Sequence, residues 1–507
     1  MQAILVSKST NIYDACGKNY FEVFQTTKVL LINPPRTQYK GSLYYAVHLP
    51  VSLMYVAAMV RDVCHVGIFD CLAFDFETRK DDAIIYGAPP EEIRKVIEEK
   101  QPDVVGISVH ATTQYRNAEL VAKIAKEVNP KTITVFGGPD PSVRFESILE
   151  NPYCDYCVVG DGEDTFLEFV RNFPVRSSLE KIKGLAYKRN GFVHYEPRFF
   201  DTDLDALPFP AFDLVDLNRY LKSERYYKDR SNICENSTPI ITSRGCPNCC
   251  VFCSIRLHMG QKYRTHSPEY ILKLLRLCID KYGLSTFHFE DDNLTCDKRR
   301  FEKILDLIIE EKLQIKWDTP NGVRVDSLNY NILKKMKQSG CSHLTLAIES
   351  GNQRVLDEVI HKKLNLEHAI EIVKYCKELK IQAGAFYVIG FPGETIEEIE
   401  DTINLAIKLH RKSDLSPYLM VATPLYGTEL YEICMRNKFI KGEPTCEELS
   451  ITLQLYGGPM ISTPEFSKED IKRILNEYKK RIRMNYRLKD IAYLSKHPRE
   501  LVKRMSL

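Results

Sequence analysis

The stretch SRGCPNCCVFCS, residues 243–254, places four of the chain's sixteen cysteines within eight positions. Cys246, Cys250 and Cys253 form a CxxxCxxC pattern, which Cys249 interrupts. The pattern directly follows PIITS, a short run that favours a β-strand. Three thiolates on one loop can bind three irons of a four-iron cluster and leave the fourth iron open to another ligand. The spacing therefore predicts an iron–sulfur site with an open position.

Zinc is the alternative metal for this stretch, because Cys246 and Cys249 also form a CxxC pair. Structural zinc needs four closed ligands, and no second CxxC or HxxxH follows the stretch. The other close pair, Cys154 and Cys157, precedes it by about ninety residues and has one cysteine on a predicted strand. Iron is therefore favoured over zinc.

The composition describes an ordinary folded protein. The chain has 507 residues, 44% hydrophobic and 27% charged, with a formal net charge of +2, which predicts two to four domains and indicates neither disorder nor nucleic-acid binding. No apolar run reaches the roughly 18 residues of a membrane span, and the N-terminal apolar segment is too short for a signal peptide. We expect a cytoplasmic protein whose cysteines are metal ligands or buried thiols.

Upstream of the cysteines, short β-branched runs alternate with amphipathic stretches. Strands that lack polar alternation and are separated by helices predict a parallel sheet covered on both faces. Such a doubly wound, Rossmann-like domain binds ligands at the loops that follow its strands. The predicted strands are 28–33, 66–70, 103–109, 132–138 and 156–160, and the predicted helices lie near 50–62, 90–99, 114–128 and 163–172.

A second alternation begins at the cysteine stretch. Six strand and helix units in a row predict a partial (β/α)6 TIM barrel with its chemistry at the carboxyl ends of the strands. The predicted strands lie near 239–243, 286–290, 315–318, 343–348, 383–389 and 418–422. The predicted organisation is an extension (1–27), a Rossmann-like domain (28–190), a proline-containing linker (191–234), a barrel (235–430) and a helical C-terminal region (431–507).

The CxxxCxxC pattern, with Phe252 one place before its last cysteine and a strand before its first, resembles the radical S-adenosylmethionine (SAM) superfamily. The resemblance implies that Cys246, Cys250 and Cys253 bind a [4Fe-4S] cluster and that Phe252 lies against the adenine of SAM. It also implies that the open iron chelates SAM, whose one-electron cleavage yields a 5′-deoxyadenosyl radical that abstracts hydrogen. The cofactors supply this chemistry, and the protein positions them and excludes water.

Later segments are similar to the same superfamily, strand by strand. FHFEDDN (287–293) supplies acidic residues for the SAM ammonium, NGVRVD supplies an arginine for a carboxylate, and LAIESG supplies groups for ribose or methionine. YVIGFPGET resembles the adenine-binding strand end, where a glycine permits close approach. The SAM-binding residues that the resemblance implies are Glu290, Asp291, Asp292, Arg324, Glu349, Ser350 and Gly390.

The first domain resembles the cobalamin-binding domain of radical SAM enzymes through LLINPP, LPVSLMYVAAMVRD, GGPDPS and VVGDGE. The DxHxxG signature that supplies a cobalt-ligating histidine in other cobalamin proteins is absent after the first strand, which leaves the lower cobalt face unassigned. We expect His110 and Thr112 near that face, because they lie on the loop after the third strand; the alternative for His110 is a loop histidine held in a hydrogen bond. The resemblance also implies that backbone approaches the nucleotide tail or the corrin edge at Gly137, Gly138, Gly160 and Gly162.

The two resemblances together imply a cobalamin-dependent radical SAM enzyme, and the predicted activity is transfer of a methyl group from SAM, via methylcobalamin, to an unactivated carbon. The alternatives are a radical SAM enzyme that cyclises, rearranges or couples its substrate, and a cobalamin or redox sensor. A tRNA methylthiotransferase is disfavoured, because the first domain lacks that family's cysteine arrangement.

The expected partners are a small-molecule or lipid substrate and a one-electron donor such as flavodoxin or ferredoxin, without nucleic acid. The tail, residues 468–507, has thirteen Lys or Arg against five Asp or Glu, interleaved with apolar residues. This pattern is typical of a solvated helix face packed on the barrel, and peripheral contact with anionic membrane headgroups is the alternative.

Overall fold

The computed structural model describes residues 27–39, 47–80, 83–173, 176–200, 203–223, 226 and 236–496. They divide into two units. The N-terminal unit holds the described residues within 1–38, 46–226 and 257–260, and the barrel unit holds those within 39–45, 227–256 and 261–507. The predicted extension 1–27 lies, except for Thr27, outside the described residues.

The N-terminal unit is built on a seven-stranded sheet with the order β10-β9-β8-β7-β6-β1-β3. Its five strands from β8 to β3 are parallel, and β9 and β10 form an antiparallel hairpin at the edge. The strands of this unit are β1 (Lys28–Asn33), β2 (Arg36–Tyr39), β3 (His65–Asp70), β4 (Glu77–Lys80), β5 (Ala83–Tyr86), β6 (Val104–Ser108), β7 (Ile133–Gly137), β8 (Tyr156–Val158), β9 (Leu185–Arg189) and β10 (Phe192–Tyr195).

The chain order of the parallel strands explains where this unit can bind a ligand. Counted along the chain, the five parallel strands lie in the order 2-1-3-4-5, the flavodoxin-like doubly wound order, and the direction of winding reverses between β1 and β6. The loops after β1 and β6 therefore diverge and leave a crevice at the carboxyl edge. Two features were not predicted: the small sheet of β2, β5 and β4, and the β9–β10 hairpin, which crosses the predicted boundary at residue 190.

Helices cover both faces of the sheet, and an apolar cluster fills the space on each side. The predicted helices are present within a few residues of their expected ends. Within GGPDPS a helix starts at Pro139, directly after β7, because proline fits the first helical position. The helices are α1 (Val51–Val60), α2 (Pro90–Lys100), α3 (Tyr115–Val128), α4 (Pro139–Ile148), α5 (Gly162–Asn172), α6 (Arg176–Leu179) and α7 (Leu217–Lys222).

The barrel unit is an open parallel sheet whose six strands follow one another in chain order, β11-β14-β15-β16-β17-β18. This is the predicted partial (β/α)6 barrel. A two-stranded ribbon, β12 with β13, flanks the cysteine stretch. The strands are β11 (Ser237–Ile240), β12 (Ser243–Arg244), β13 (Arg264–Thr265), β14 (Thr286–Phe289), β15 (Lys316–Arg324), β16 (Cys341–Glu349), β17 (Gln382–Ile389) and β18 (Ser416–Val421).

The helices of this part of the chain begin at side-chain caps, for example Ser267, Asp297 and Asn365, whose oxygens accept backbone N–H groups. The predicted C-terminal helix is present as α16, and the described residues contain no helix long and apolar enough to cross a membrane. The helices are α8 (Ile255–His258), α9 (Pro268–Tyr282), α10 (Lys298–Glu310), α11 (Tyr330–Gln338), α12 (Leu366–Glu378), α13 (Ile396–Ser413), α14 (Glu429–Arg436), α15 (Cys446–Thr452) and α16 (Lys468–Lys496).

Candidate cofactor site

The cysteine stretch lies on a loop whose two ends are held together. Ser243 pairs with Thr265 and Arg244 with Arg264 in the β12–β13 ribbon, so the loop leaves and returns at one point. Its middle is fixed by Val251, whose N–H donates to the Ile360 carbonyl (3.1 Å) and whose carbonyl accepts the Leu430 N–H (2.9 Å). The backbone of the loop is therefore fixed by contacts within the barrel unit.

The loop separates its four cysteines by exposure. Cys246, Cys250 and Cys253 are half-buried, whereas Cys249 is exposed. In the described part of the chain, the Cys249 sulfur has one long contact, 3.9 Å to the Pro247 carbonyl. Three thiols of the stretch are thus turned toward the protein and the fourth toward solvent.

The donor chemistry of the three half-buried cysteines fits an iron–sulfur cluster. Burial raises the pKa of Cys250, and it raises the pKa of Cys253 to about 12, with the neighbouring motif cysteines adding to the rise in both cases. Thiolates at these positions therefore need a positively charged partner, which a metal cluster provides.

Among the described residues, no three His, Cys, Asp or Glu side chains converge as ligands of one metal ion. A four-iron cluster binds each thiolate at a different iron, whereas a structural zinc ion takes four ligands at one point.

Two of the three acidic residues after β14 hold the start of the cysteine loop. Asp291 is buried, and its carboxylate accepts the Thr242 N–H (3.1 Å), the Thr242 hydroxyl (2.7 Å) and the Ser243 hydroxyl. The Asp292 carboxylate accepts the Gly245 N–H, and burial, with Asp291 beside it, raises the pKa of Asp292 to about 7. Glu290 is half-buried at the end of β14. The three positions predicted from one motif thus have different surroundings.

A buried ion pair lies beside the cysteine loop, and its lysine was not predicted. Lys362 Nζ donates to Glu349 Oε1 at 2.8 Å, with the two side chains 4% and 8% exposed. Arg324 donates to the Lys362 carbonyl (2.9 Å) and forms an ion pair with Asp326 (2.8 Å). Both cations act on Cys250, where they oppose the rise in pKa that burial causes. The sequence HKKLN carries no signal that separates Lys362 from a surface lysine.

The loop after β17 contains a second residue that the sequence did not single out. Glu394 is buried and accepts the N–H groups of Gly390 (2.7 Å) and Phe391 (3.0 Å), and burial raises its pKa to about 8. The Phe391 ring contacts Phe252, with 5.6 Å between the ring centroids. Phe252 and the strand end at Gly390 therefore belong to one local structure, in which the Gly390 N–H is already used.

Ser350 lies in a packed position rather than at an open surface. It is buried, its hydroxyl is 3.1 Å from the Thr402 hydroxyl, and it accepts the Asn352 N–H (3.2 Å). These bonds join the end of β16 to helix α13. The structure thus gives Ser350 a role in holding the strand end.

In the N-terminal unit, the loops after three neighbouring strands are tied together at the carboxyl edge. Gly138 has φ +113°, and a Cβ there would lie 2.9 Å from the Val109 carbonyl oxygen, so the two backbones require a glycine. The Ser142 hydroxyl donates to the Gly138 carbonyl (2.8 Å) and accepts the Gly160 N–H (2.9 Å). Gly160 also has positive φ, +83°. The edge is thus built from closely packed backbone.

The remaining predicted residues of this edge differ in their surroundings. The Thr112 hydroxyl donates to Asp140 (2.6 Å), whose carboxylate also binds Arg144. His110 is exposed on the loop after β6, and its N–H donates to Gln114. At Gly137 and Gly162 a Cβ would make only ordinary contacts of 3.6 Å or more. An exposed imidazole beside the crevice is compatible with a ligand such as cobalamin, which the sequence predicts at the loops after these strands.

Both units match known protein families. Residues 42–170 match the B12 binding domain family, and residues 240–406 match the radical SAM superfamily. An uncharacterized methyltransferase of Pyrococcus horikoshii is 34% identical over 457 residues, which are 89% of this chain and 91% of that protein. The chain belongs to the cobalamin-dependent radical SAM family. A [4Fe-4S] cluster, SAM and cobalamin are therefore the cofactors of this radical SAM enzyme.

Other relatives of this radical SAM enzyme extend the comparison. Cytidylyl-2-hydroxyethylphosphonate methyltransferase of Streptomyces wedmorensis is 30% identical and covers 82% of this chain and 83% of its own length. The solved structure of TsrM from Kitasatospora setae, with cobalamin and a [4Fe-4S] cluster bound, has a TM-score of 0.64 at 16% identity and covers 83% of this chain and 80% of its own. At that identity, the likeness to TsrM supports the fold.

Proposed function

We propose that this radical SAM enzyme is a methyltransferase that moves a methyl group from SAM, by way of cobalamin, to an unactivated carbon of a small molecule. The observation that carries the proposal is that one chain contains both a CxxxCxxC loop at the mouth of a barrel and a B12 binding domain. A relative named as a methyltransferase aligns with 89% of the chain, which includes both domains. When bound, the cofactors supply the radical and the methyl carrier.

The residues of the barrel unit have separate tasks in this proposal. Cys246, Cys250 and Cys253 hold the cluster, and Phe252, backed by Phe391, provides an apolar surface for the adenine. Among the three acidic residues, Glu290 is the candidate for the SAM ammonium, because it is half-buried directly after β14, at the carboxyl edge of the barrel sheet.

The other SAM-binding candidates mainly fix the backbone of neighbouring segments through hydrogen bonds and ion pairs. Arg324 and Glu349 form charged contacts with the segment around Lys362, beside Cys250. Ser350 and Gly390 shape the ends of β16 and β17. We propose that Arg324 is the one of these four that meets a carboxylate of the ligand, since guanidinium binds carboxylates in a bidentate manner.

For the N-terminal unit we propose that cobalamin lies at the carboxyl edge, in the crevice between the loops after β1 and β6. His110 is the candidate to approach the lower cobalt face, because its side chain is exposed on the loop after β6, at the edge of this crevice. Gly138 and Gly160 both have positive φ and carry no side chain, so the backbone of their loops leaves room for a large planar ligand above the carboxyl edge of the sheet.

The partners in this proposal are a small-molecule substrate and a one-electron donor such as flavodoxin or ferredoxin. Helix α16 packs its apolar side, including Ile471, Ile474 and Tyr478, into the protein, and Arg473 on its outer side pairs with Asp470 (3.0 Å). These contacts support a solvated helix face packed on the barrel unit, and membrane contact through the tail stays a prediction.

The test is anaerobic reconstitution with iron, sulfide and cobalamin, followed by incubation with reduced flavodoxin, extract of the host and SAM that carries a deuterated methyl group. The proposal predicts labelled methylcobalamin, 5′-deoxyadenosine, and a labelled product 17 mass units heavier than a metabolite of the host extract, since CD₃ replaces one hydrogen. A Cys250→Ala variant should lose 5′-deoxyadenosine formation while retaining bound cobalamin. Formation of 5′-deoxyadenosine without label in cobalamin or product would contradict methyl transfer.

The same experiment separates the second candidate function. Anaerobic magnesium-protoporphyrin IX monomethyl ester cyclase of Rubrivivax gelatinosus is 25% identical over 331 residues, which are 64% of this chain. If this enzyme were instead a cyclase or coupling enzyme, a substrate would be consumed with 5′-deoxyadenosine formation and no gain of a methyl group.

A further inference from the structure

One sulfur of the cysteine loop accepts two side-chain amides. Asn248 Nδ2 lies 3.4 Å and Asn293 Nδ2 lies 3.5 Å from Cys246 Sγ. Neither Cys250 nor Cys253 takes a side-chain amide donor in the described part of the chain. The Cys253 thiol has a backbone partner, the Ile255 N–H. Side-chain amide donors are therefore confined, among the described residues, to one of the three sulfurs that the proposed function assigns to the cluster.

The orientation of Asn293 follows from the chemistry of its partner. An iron-bound thiolate has no proton to give, so the amide must present its N–H₂ group to the sulfur and turn its carbonyl away. Asn293 is 3% exposed, and within the described residues its Oδ1 has no hydrogen-bond partner. A buried carbonyl without a partner lowers stability, so this arrangement sacrifices stability to place an N–H beside the sulfur.

The amide comes from a rigid part of the barrel unit and not from the cysteine loop itself. The Glu290 N–H donates to the Ile240 carbonyl (2.9 Å), the Asp291 carboxylate binds Thr242, and the Cys296 N–H donates to the Asn293 carbonyl (3.2 Å). These bonds fix the segment on both sides of Asn293. Asn248, by contrast, is half-buried within the cysteine loop.

We propose that Asn293, assisted by Asn248, is a positioning residue that sets the reduction potential of the cluster through N–H···S bonds to Cys246. The inference rests on the proposed function in one respect, that Cys246 is an iron ligand. Hydrogen bonds to the sulfurs are among the determinants of cluster potential. A donor stabilises the more negative, reduced cluster more than the oxidised one, because hydrogen bonds to charged acceptors strengthen with charge. The two amides thus make the cluster easier to reduce.

The experiment is a redox titration of the anaerobically reconstituted full chain without SAM, in which EPR measures the reduced fraction. Asn293→Leu should keep the iron and sulfide content of the wild type. At a fixed applied potential, its ratio of reduced to oxidised cluster should fall about tenfold, which is about 59 mV for a one-electron couple. Asn248→Leu should shift the potential in the same direction by less, because its amide is less buried.

A matched control separates the bond from a displaced loop. Asn321→Ala removes an amide that donates to the Glu290 carbonyl (2.8 Å) on the same segment, and it should leave the potential unchanged. Equal potentials in wild type and Asn293→Leu would overturn the inference. If Asn293→Leu binds no iron, the reduction potentials of Asn248→Leu and Asn293→Ser are measured instead. If neither variant differs from the wild type in potential, the inference is also overturned. A wild-type chain without a cluster would refute the proposed function, and this inference with it.

Discussion

Replacing Lys362 with Met should destabilise the barrel unit strongly, because the change leaves Glu349 buried without its cation. The two side chains are 4% and 8% exposed and 2.8 Å apart. Removing one partner of a buried pair costs about 3–5 kcal/mol, since the remaining charge has lost both water and its counter-ion. We expect Lys362→Met to lower the free energy of unfolding of the barrel unit by that amount.

The assay uses the chain's single tryptophan. Trp317 is fully buried in β15, the strand next to β16, at whose end Glu349 lies. Urea unfolding of the apoprotein, followed by tryptophan fluorescence, therefore reports on the barrel unit. Lys363→Met is the matched control, because Lys363 is the exposed neighbour and its loss should change the free energy by no more than about 0.5 kcal/mol.

A double variant tests whether the cost comes from the pair itself. Combining Lys362→Met with Glu349→Gln removes the buried charge that the single change leaves behind, so the double variant should be more stable than Lys362→Met alone. Measuring Glu349→Gln alone completes a double-mutant cycle, whose coupling energy is the change in unfolding free energy of the double variant minus the sum of the changes of the two single variants. A single variant that matches the Lys363→Met control, or a double variant less stable than the single one, would show that the reasoning is wrong.

Three further predictions follow from exposure, backbone geometry and titration. Cys249→Ser should retain the iron content and the SAM cleavage of the wild type, measured as iron and 5′-deoxyadenosine per chain, because its thiol faces solvent. Gly138→Ala should weaken cobalamin binding, measured by equilibrium dialysis, because the new methyl group would lie 2.9 Å from a carbonyl oxygen; unchanged binding would exclude a tight turn there. Glu394 has a pKa raised to about 8, so its contribution to stability is complete below pH 4.5, the ordinary value, and is lost as the pH rises to 8. Glu394→Gln should therefore flatten the decline of stability in urea titrations between pH 5 and pH 8.

The alternation of strands and helices was predictable because each strand of a parallel sheet is buried on both faces. Such strands read as continuous apolar runs, and KVLLIN, for example, was expected at 28–33 and is found as Lys28–Asn33. The β2 and β4 strands are four residues each and polar, RTQY and ETRK, so they carry no apolar pattern. The β5 strand, AIIY, is apolar but equally short, and both strands that pair with it are polar, so the sequence does not indicate their pairing.

The candidate cysteine ligands could be named from the sequence for a different reason, since the spacing of ligands along a loop is a property of the chain and not of the fold. The acidic residues show the limit of such reasoning. EDDN places three carboxylates in a row, but the direction of each side chain depends on what packs beside it. Asp291 meets Thr242 across the β11–β14 edge, 49 positions away in sequence, and this contact exists only once the strands have paired.

Lys362 illustrates most clearly why the electrostatics of the site required the structure. The preceding residues, Val355–Val359, form a π-helical turn in which the Ile360 N–H donates to the Val355 carbonyl (2.9 Å), five residues back. The sequence VLDEVIHKK is equally compatible with an ordinary α-helical turn, because the same residues favour both. After the π turn, the Ile360 carbonyl accepts the Val251 N–H of the cysteine loop. Two residues later, the buried side chain of Lys362 donates to Glu349. Such turns often occur at functional sites. Here a single unusual turn both holds the cysteine loop and brings a buried cation to Cys250, and only the packed barrel determines which turn forms.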